Sequence, residues 1–99
     1  MTTFRHTLML RFNERTTDAQ KQALLKALAQ LPDTIPQIRR YEFGLDLGIA
    51  GSADFALVAD FDSEQDWRTY RDHPDHQALA RDFVAPITAE AIRVQYLVD

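Results

Sequence analysis

The chain has no cysteine. That absence removes disulfide bridges, thiolate metal sites and a cysteine nucleophile. It is compatible with a reducing compartment, and a cytoplasmic protein is expected. Glycine is scarce, with three residues in all, and none stands in a phosphate-cradling loop, a dinucleotide fingerprint or a G-x-S-x-G elbow. Basic residues number 11 against 15 acidic ones. An acidic surface repels phosphate backbones, and the pair Arg39-Arg40 is too small a cluster to reverse this, so no nucleic-acid partner is expected. No apolar run approaches the roughly 20 residues that cross a bilayer, so no membrane partner is expected either. The opening MTTFRHTLMLRF lacks an apolar stretch behind a basic start, which predicts an unprocessed chain. Internal repeats, linkers and low-complexity tracts are missing too.

What remains is the composition of an ordinary globular protein. A length of 99 residues predicts a single domain over 1–99, with little core to spare.

Residues 4–12 alternate, with Phe4, His6, Leu8, Leu10 and Phe12 on one face of a strand and Arg5, Thr7, Met9 and Arg11 on the other. Thr17 and Gln20 form a capping-box pattern before Leu24, Leu25, Leu28 and Leu31, which recur at helical spacing. Pro32 is expected to stop that helix, leaving 32–36 as a loop. A second strand is predicted over 38–47, with a bulge at Gly44, then a turn over 48–52 and a third strand over 54–61. The third strand is apolar on both faces, with Phe55, Leu57, Ala59 and Phe61 on one and Ala56 and Val58 on the other. Such a strand belongs in a sheet covered on both sides. Ser63 caps the next helix. Pro74 interrupts it and suits the first turn of a new segment over 74–83, whose inner stripe reads His76, Leu79, Ala80 and Phe83, with Pro86 as its stop. Residues 91–98 close the chain as a strand with Ile92, Val94, Tyr96 and Val98 facing one way.

The order β-α-β-β-α-β predicts an α+β fold of the ferredoxin-like type, an antiparallel sheet with helices on one face. Two helices cover one sheet face, yet Thr7, Met9, Ala56 and Val58 make the other face apolar. The simplest cover is a second copy of the same sheet, related by a two-fold axis. A homodimer through the sheet face, closing an α/β barrel, is therefore expected.

Four polar side chains fall on or beside the inner, apolar face: His6, Tyr70, His73 and His76. In this fold His6, Tyr70 and His76 converge on one side of the sheet, with Leu8, Leu10, Phe55, Leu57, Phe83, Ile92 and Val94 as walls. A histidine moves a proton near neutral pH, and a tyrosine hydroxyl in an apolar pocket donates to a developing oxyanion. This set supports proton abstraction beside a carbonyl, on a small apolar or carbonyl-containing ligand. The plainer reading is that a buried histidine or tyrosine satisfies a hydrogen bond, and it is the default for His6 and Tyr70. His76 sits where packing would take a leucine. His73 reads as a loop residue and Trp67 as core. His73 and His76 form an H-x-x-H pair with Asp72 and Asp75 interleaved, and zinc would need a third ligand close by; the proline between the histidines leaves their relative geometry open and the acids read as caps, so no metal and no cofactor are expected.

Five ordered stretches resemble one known family: R-H-x-x-L-x-R-F from Arg5 to Phe12, L-P-x-x-I-P from Leu31 to Pro36, Y-x-x-G-x-D from Tyr41 to Asp46, F-A-L-V-A-D-F-D-S from Phe55 to Ser63, and Y-R-D-H-P-D-H from Tyr70 to His76. Together they resemble the stress-responsive dimeric α/β-barrel (Dabb) family over nearly the full chain. The resemblance implies a ferredoxin-like homodimer. It also implies similarity to the plant polyketide cyclase that forms olivetolic acid by cofactor-free aldol cyclisation. The resemblance makes His76 the matching base, Tyr70 the tyrosine that assists at the carbonyl, and His6 a pocket histidine. Phe55 stands where that pocket holds a further histidine, and Ala23, Leu24 and Ala27 replace aromatics of its first helix.

Three functions follow from these residues: a non-catalytic ligand-binding or stress-related module, a cofactor-independent cyclase or isomerase using His76 and Tyr70, and a haem- or oxygen-dependent monooxygenase. The acids Asp72 and Asp75 around His73 and His76 are ill suited to haem propionates, which ranks the last reading third.

Overall fold

The computed structural model describes residues 2–99. The alternating segment at the start forms β1 (Thr3–Phe12), followed by α1 (Asp18–Thr34) and β2 (Arg40–Leu45). Next come β3 (Phe55–Phe61), α2 (Glu64–Asp72) and α3 (Pro74–Leu79). A π turn (Ala80–Val84) and a 3-10 turn (Ala85–Ile87) lead into β4 (Thr88–Val98). The strands form one antiparallel sheet in the order β2-β3-β1-β4. This is the ferredoxin-like α+β fold.

Capping starts α1 where expected. The Thr17 hydroxyl accepts from the Gln20 N–H at 3.1 Å, and the Gln20 side-chain oxygen accepts from the Thr17 N–H at 2.9 Å; such a cap stabilises a helix by about 1 kcal/mol. Pro32 does not stop the helix. It lies inside the last turn, and the chain stays helical to Thr34, with the Ile35 N–H still bonded to the Leu31 carbonyl at 2.9 Å. The stop comes from Pro36, whose ring keeps the preceding Ile35 extended at φ −121°, ψ 92°. The expected bulge is also displaced. Gly44 pairs in regular register with Ala56, and the irregularity falls between Arg11 and Phe12 against β4.

The helices cover one sheet face. Leu24, Leu28 and Leu31 of α1 pack with Leu10, Phe55, Leu57 and Phe61 of the sheet, each such side chain contributing about 1.5–3 kcal/mol by its burial. On the opposite face the register pairs Met9 with Ile92 and Thr7 with Val94. Met9, Ile92, Val94 and Tyr96 there are 37%, 46%, 49% and 46% exposed. One end of this face is charged: the Arg5 guanidinium holds Asp60 in two hydrogen bonds of 2.8 and 3.0 Å. Among the described residues no helix is long and apolar enough to cross a membrane.

Candidate functional site

A cavity of about 300 Å³ lies between the helices and the inner sheet face. Its floor holds His6, Leu8 and Leu10 from β1 with Phe55 and Leu57 from β3, and its roof holds Tyr70 from α2 and His76 from α3. Those seven of the ten expected site residues are brought together. A larger open depression of about 390 Å³ between α1 and α3 has no histidine or tyrosine in its lining.

The break between α2 and α3 places His76. His73 precedes a proline and is held extended at φ −61°, ψ 135°, which ends α2. Its Nδ1 accepts from the Asp75 N–H at 3.1 Å and so caps α3. The chain turns back, and the His76 ring comes to 4.3 Å from the Tyr70 ring, centroid to centroid. Ending α2 also frees its last carbonyls. That of Arg71 accepts from His76 Nδ1 at 3.1 Å and from Gln77 Nε2 at 2.8 Å. A carbonyl can only accept, so Nδ1 carries the proton, and neutral His76 keeps its lone pair on Nε2. Burial holds the imidazole below the ordinary histidine range; the Arg71 carbonyl opposes this, and the His73 and Arg93 charges add to it.

Tyr70 is buried, with its hydroxyl 2.8 Å from that of Tyr41. Burial pushes its pKa up to about 12, partly offset by the bond to Tyr41; burial, then Tyr70, push that of Tyr41 higher still. Both hydroxyls are neutral donors at physiological pH.

His6 is fixed in the other tautomer. The Gln95 amide nitrogen donates to His6 Nδ1 at 2.8 Å, so the ring proton sits on Nε2. Burial, with the Arg93 and His76 charges behind it, lowers its pKa to about 4.

Two arginines complete the lining. Arg71 lies over the Trp67 ring at 5.2 Å and grips Asp72 in two hydrogen bonds of 2.9 and 3.1 Å. Arg93 has no carboxylate partner among the described residues. No three His, Asp or Glu side chains among the described residues gather into a group that could hold a metal ion.

Residues 4–98 match the Stress responsive A/B Barrel Domain, Dabb. The chain belongs to the Dabb family. No curated protein matches it. Among solved structures, a dimeric ferredoxin-like protein of unknown function from Thermobifida fusca YX is 42% identical, with 98% of this chain and 92% of that chain covered and a TM-score of 0.90. A Dabb family protein from Mesorhizobium loti is 20% identical, covering 97% of this chain and 96% of that one, with a TM-score of 0.80. The hydroxynitrile lyase of Passiflora edulis is 20% identical, covering 98% and 94%, with a TM-score of 0.85. The last two show a shared fold.

Three expected wall residues of this Dabb cavity lie elsewhere. Ile92 pairs with Met9 and faces the open side of the sheet, as does Val94 opposite Thr7. The residues of β4 that line the cavity are Arg93 and Gln95. Phe83 is displaced by the π turn: the expected stripe assumed a regular helix, but the wider turn after Leu79 swings Phe83 into the α1–α3 depression and puts Val84 in the cavity. Sequence reasoning also missed Tyr41, Arg71, Arg93 and Gln95. For β4 a signal was available: an apolar outer face on β1 and β3 calls for an apolar outer face on β4, which leaves Arg93 and Gln95 inside.

Proposed function

We propose that this Dabb protein binds a small carbonyl compound in the cavity and moves a proton on it, with His76 as base and Tyr70 as donor to the carbonyl oxygen. The observation that carries this is the His76 geometry: Nδ1 is committed to the Arg71 carbonyl, which leaves Nε2 as the free base on a ring 4.3 Å from that of Tyr70. Nε2 takes the proton from the carbon next to the carbonyl. The C–H electron pair becomes the enolate double bond, and charge moves to the oxygen, where the Tyr70 hydroxyl donates. Return of the proton to the same carbon gives exchange and to another carbon isomerisation; if instead the enolate carbon attacks a second carbonyl, a C–C bond forms, that carbonyl's π pair moves to its oxygen, and the oxygen takes the proton back from His76. The two side chains suffice for this step. A cavity volume at the low end for ligand sites suits a small molecule. The hydroxynitrile lyase among the structural neighbours carries a name that fits chemistry at a carbonyl-derived carbon.

The working unit in this proposal is a homodimer. The half-exposed apolar band of Met9, Ile92, Val94 and Tyr96 is of the kind that marks an interface, and the Thermobifida fusca neighbour is dimeric.

The test is deuterium uptake at the methyl group of acetophenone in D2O, followed by NMR. The expected result is acceleration by the protein that falls about 100-fold or more in His76→Asn, with the fold retained. Binding without acceleration leaves a ligand-binding module and sinks the proton-transfer reading.

A further inference from the structure

The chain is acidic overall, with a formal net charge of −4, yet the charged residues lining this cavity are two arginines and no acid. Their states differ. Arg71 is paired with Asp72 through Nε and Nη2 of its guanidinium and lies over Trp67, so its charge is balanced where it stands. Arg93 stands opposite Leu8, two residues from the Gln95 that fixes His6, on edge strand β4. It has no carboxylate partner among the described residues. It is both exposed to solvent and part of the cavity lining, which places its charge where the cavity opens.

We infer that the cavity selects carboxylate-bearing ligands, with Arg93 receiving the carboxylate while the rest of the molecule enters toward Tyr70 and His76. The inference rests on the small-molecule reading above and names its substrate class: an oxo-acid rather than a neutral ketone. A guanidinium meets a carboxylate through paired, charge-assisted hydrogen bonds. Inside the cavity the remaining walls are mostly apolar, and no neighbouring acid competes. The charge also reaches the chemistry, since Arg93 is among the groups that disfavour protonation of both His6 and His76. An anion seated on Arg93 offsets that field and makes each imidazole a stronger base once the ligand is bound.

Two probes separate charge from shape: 4-acetylbenzoate and 4-acetylbenzamide, titrated into the full chain and followed by NMR at the His6 and His76 rings. The expected result is binding of the carboxylate about tenfold tighter than the amide, a solvent-exposed arginine giving the lower end of the range for charge-assisted bonds. Added salt should shrink the difference. Arg93→Gln should bring the two probes to equal affinity, while Arg93→Lys keeps part of the preference. Equal affinities in the wild type overturn the inference, as does a preference that survives Arg93→Gln, or the lack of any shift at either ring with both probes at millimolar concentration. His76→Asn distinguishes the two claims. It should abolish exchange and keep the carboxylate preference, so lost exchange tests the base and lost preference tests the anion site.

Discussion

The hydroxyl oxygens of Tyr41 and Tyr70 lie 2.8 Å apart, and their rings meet edge to face at 6.0 Å. One hydroxyl of the pair donates to the other. With Tyr41 as donor, the Tyr70 proton is free to point at a ligand, and the bond it receives strengthens the one it gives. Tyr41→Phe should cost about 1 kcal/mol in urea unfolding and slow acetophenone exchange, while Tyr70→Phe should slow it more. Equal exchange in Tyr70→Phe and wild type would remove Tyr70 from the mechanism.

Acid should unfold the protein partly through His6. The unfolded chain has the ordinary histidine pKa of 6.5 and the folded one about 4. As pH falls through that window the unfolded state takes up a proton that the folded state refuses, so stability drops and then levels off below about 4. The loss should be about 2 kcal/mol, reduced from the full shift because the ring faces an open cavity. His76, lowered mainly by burial, adds to the upper part of the same window. Asp60 acts elsewhere: its carboxylate, lowered first by the hydrogen bond from Arg5, loses its contribution only as pH falls below its ordinary 3.8. Unfolding at pH 7 and pH 4.5, at fixed protein concentration, should show a smaller difference in His6→Gln than in wild type. An unchanged difference would clear His6 of the effect.

Thr7 carries a buried hydroxyl oxygen with no hydrogen-bond partner among the described residues. Desolvating an unpaired hydroxyl is unfavourable, and valine has nearly the same shape. Thr7→Val should therefore raise stability by about 1 kcal/mol, read as a higher denaturation midpoint. A lower midpoint would mean that the hydroxyl has a partner in solution.

The open sheet face predicts the assembly. Light scattering should give twice 11.4 kDa at micromolar concentration, and Val58→Asp, on the same face as Met9, should give monomers that retain their far-ultraviolet dichroism. A wild-type monomer would leave the apolar face without an explanation.

Period-two alternation made β1 and β3 legible in the sequence, and the two-faced apolar pattern of β3 led to the exposed face that the fold displays. His6, Tyr70 and His76 were legible as polar residues on an apolar face. The failures share a cause. A helical period continued past Leu79 puts Phe83 on the inner stripe, and no single-residue preference announces the π turn that displaces it. Hydrophobicity marks Ile92 and Val94 for the helix-covered side, whereas on edge strand β4 these two face the open side and Arg93 and Gln95 line the cavity. Pro32 stands where a proline stop signal is expected, after the last leucine of the stripe, but in the last turn of α1 its missing N–H costs a single bond and the helix runs on to Thr34. Tyr41 has no mark of a site residue in the sequence, because its hydroxyl meets that of Tyr70 across β2 and α2, a contact that only the tertiary fold creates.

The functional reading depends most on which nitrogen of each histidine carries the proton. Nitrogen-15 chemical shifts of the imidazole rings at pH 7 read this directly. Opposite tautomers are expected: His76 protonated at Nδ1 with a bare Nε2, and His6 protonated at Nε2 with a bare Nδ1. A His76 ring protonated at Nε2, or one that averages between tautomers like a free imidazole, would contradict that reading.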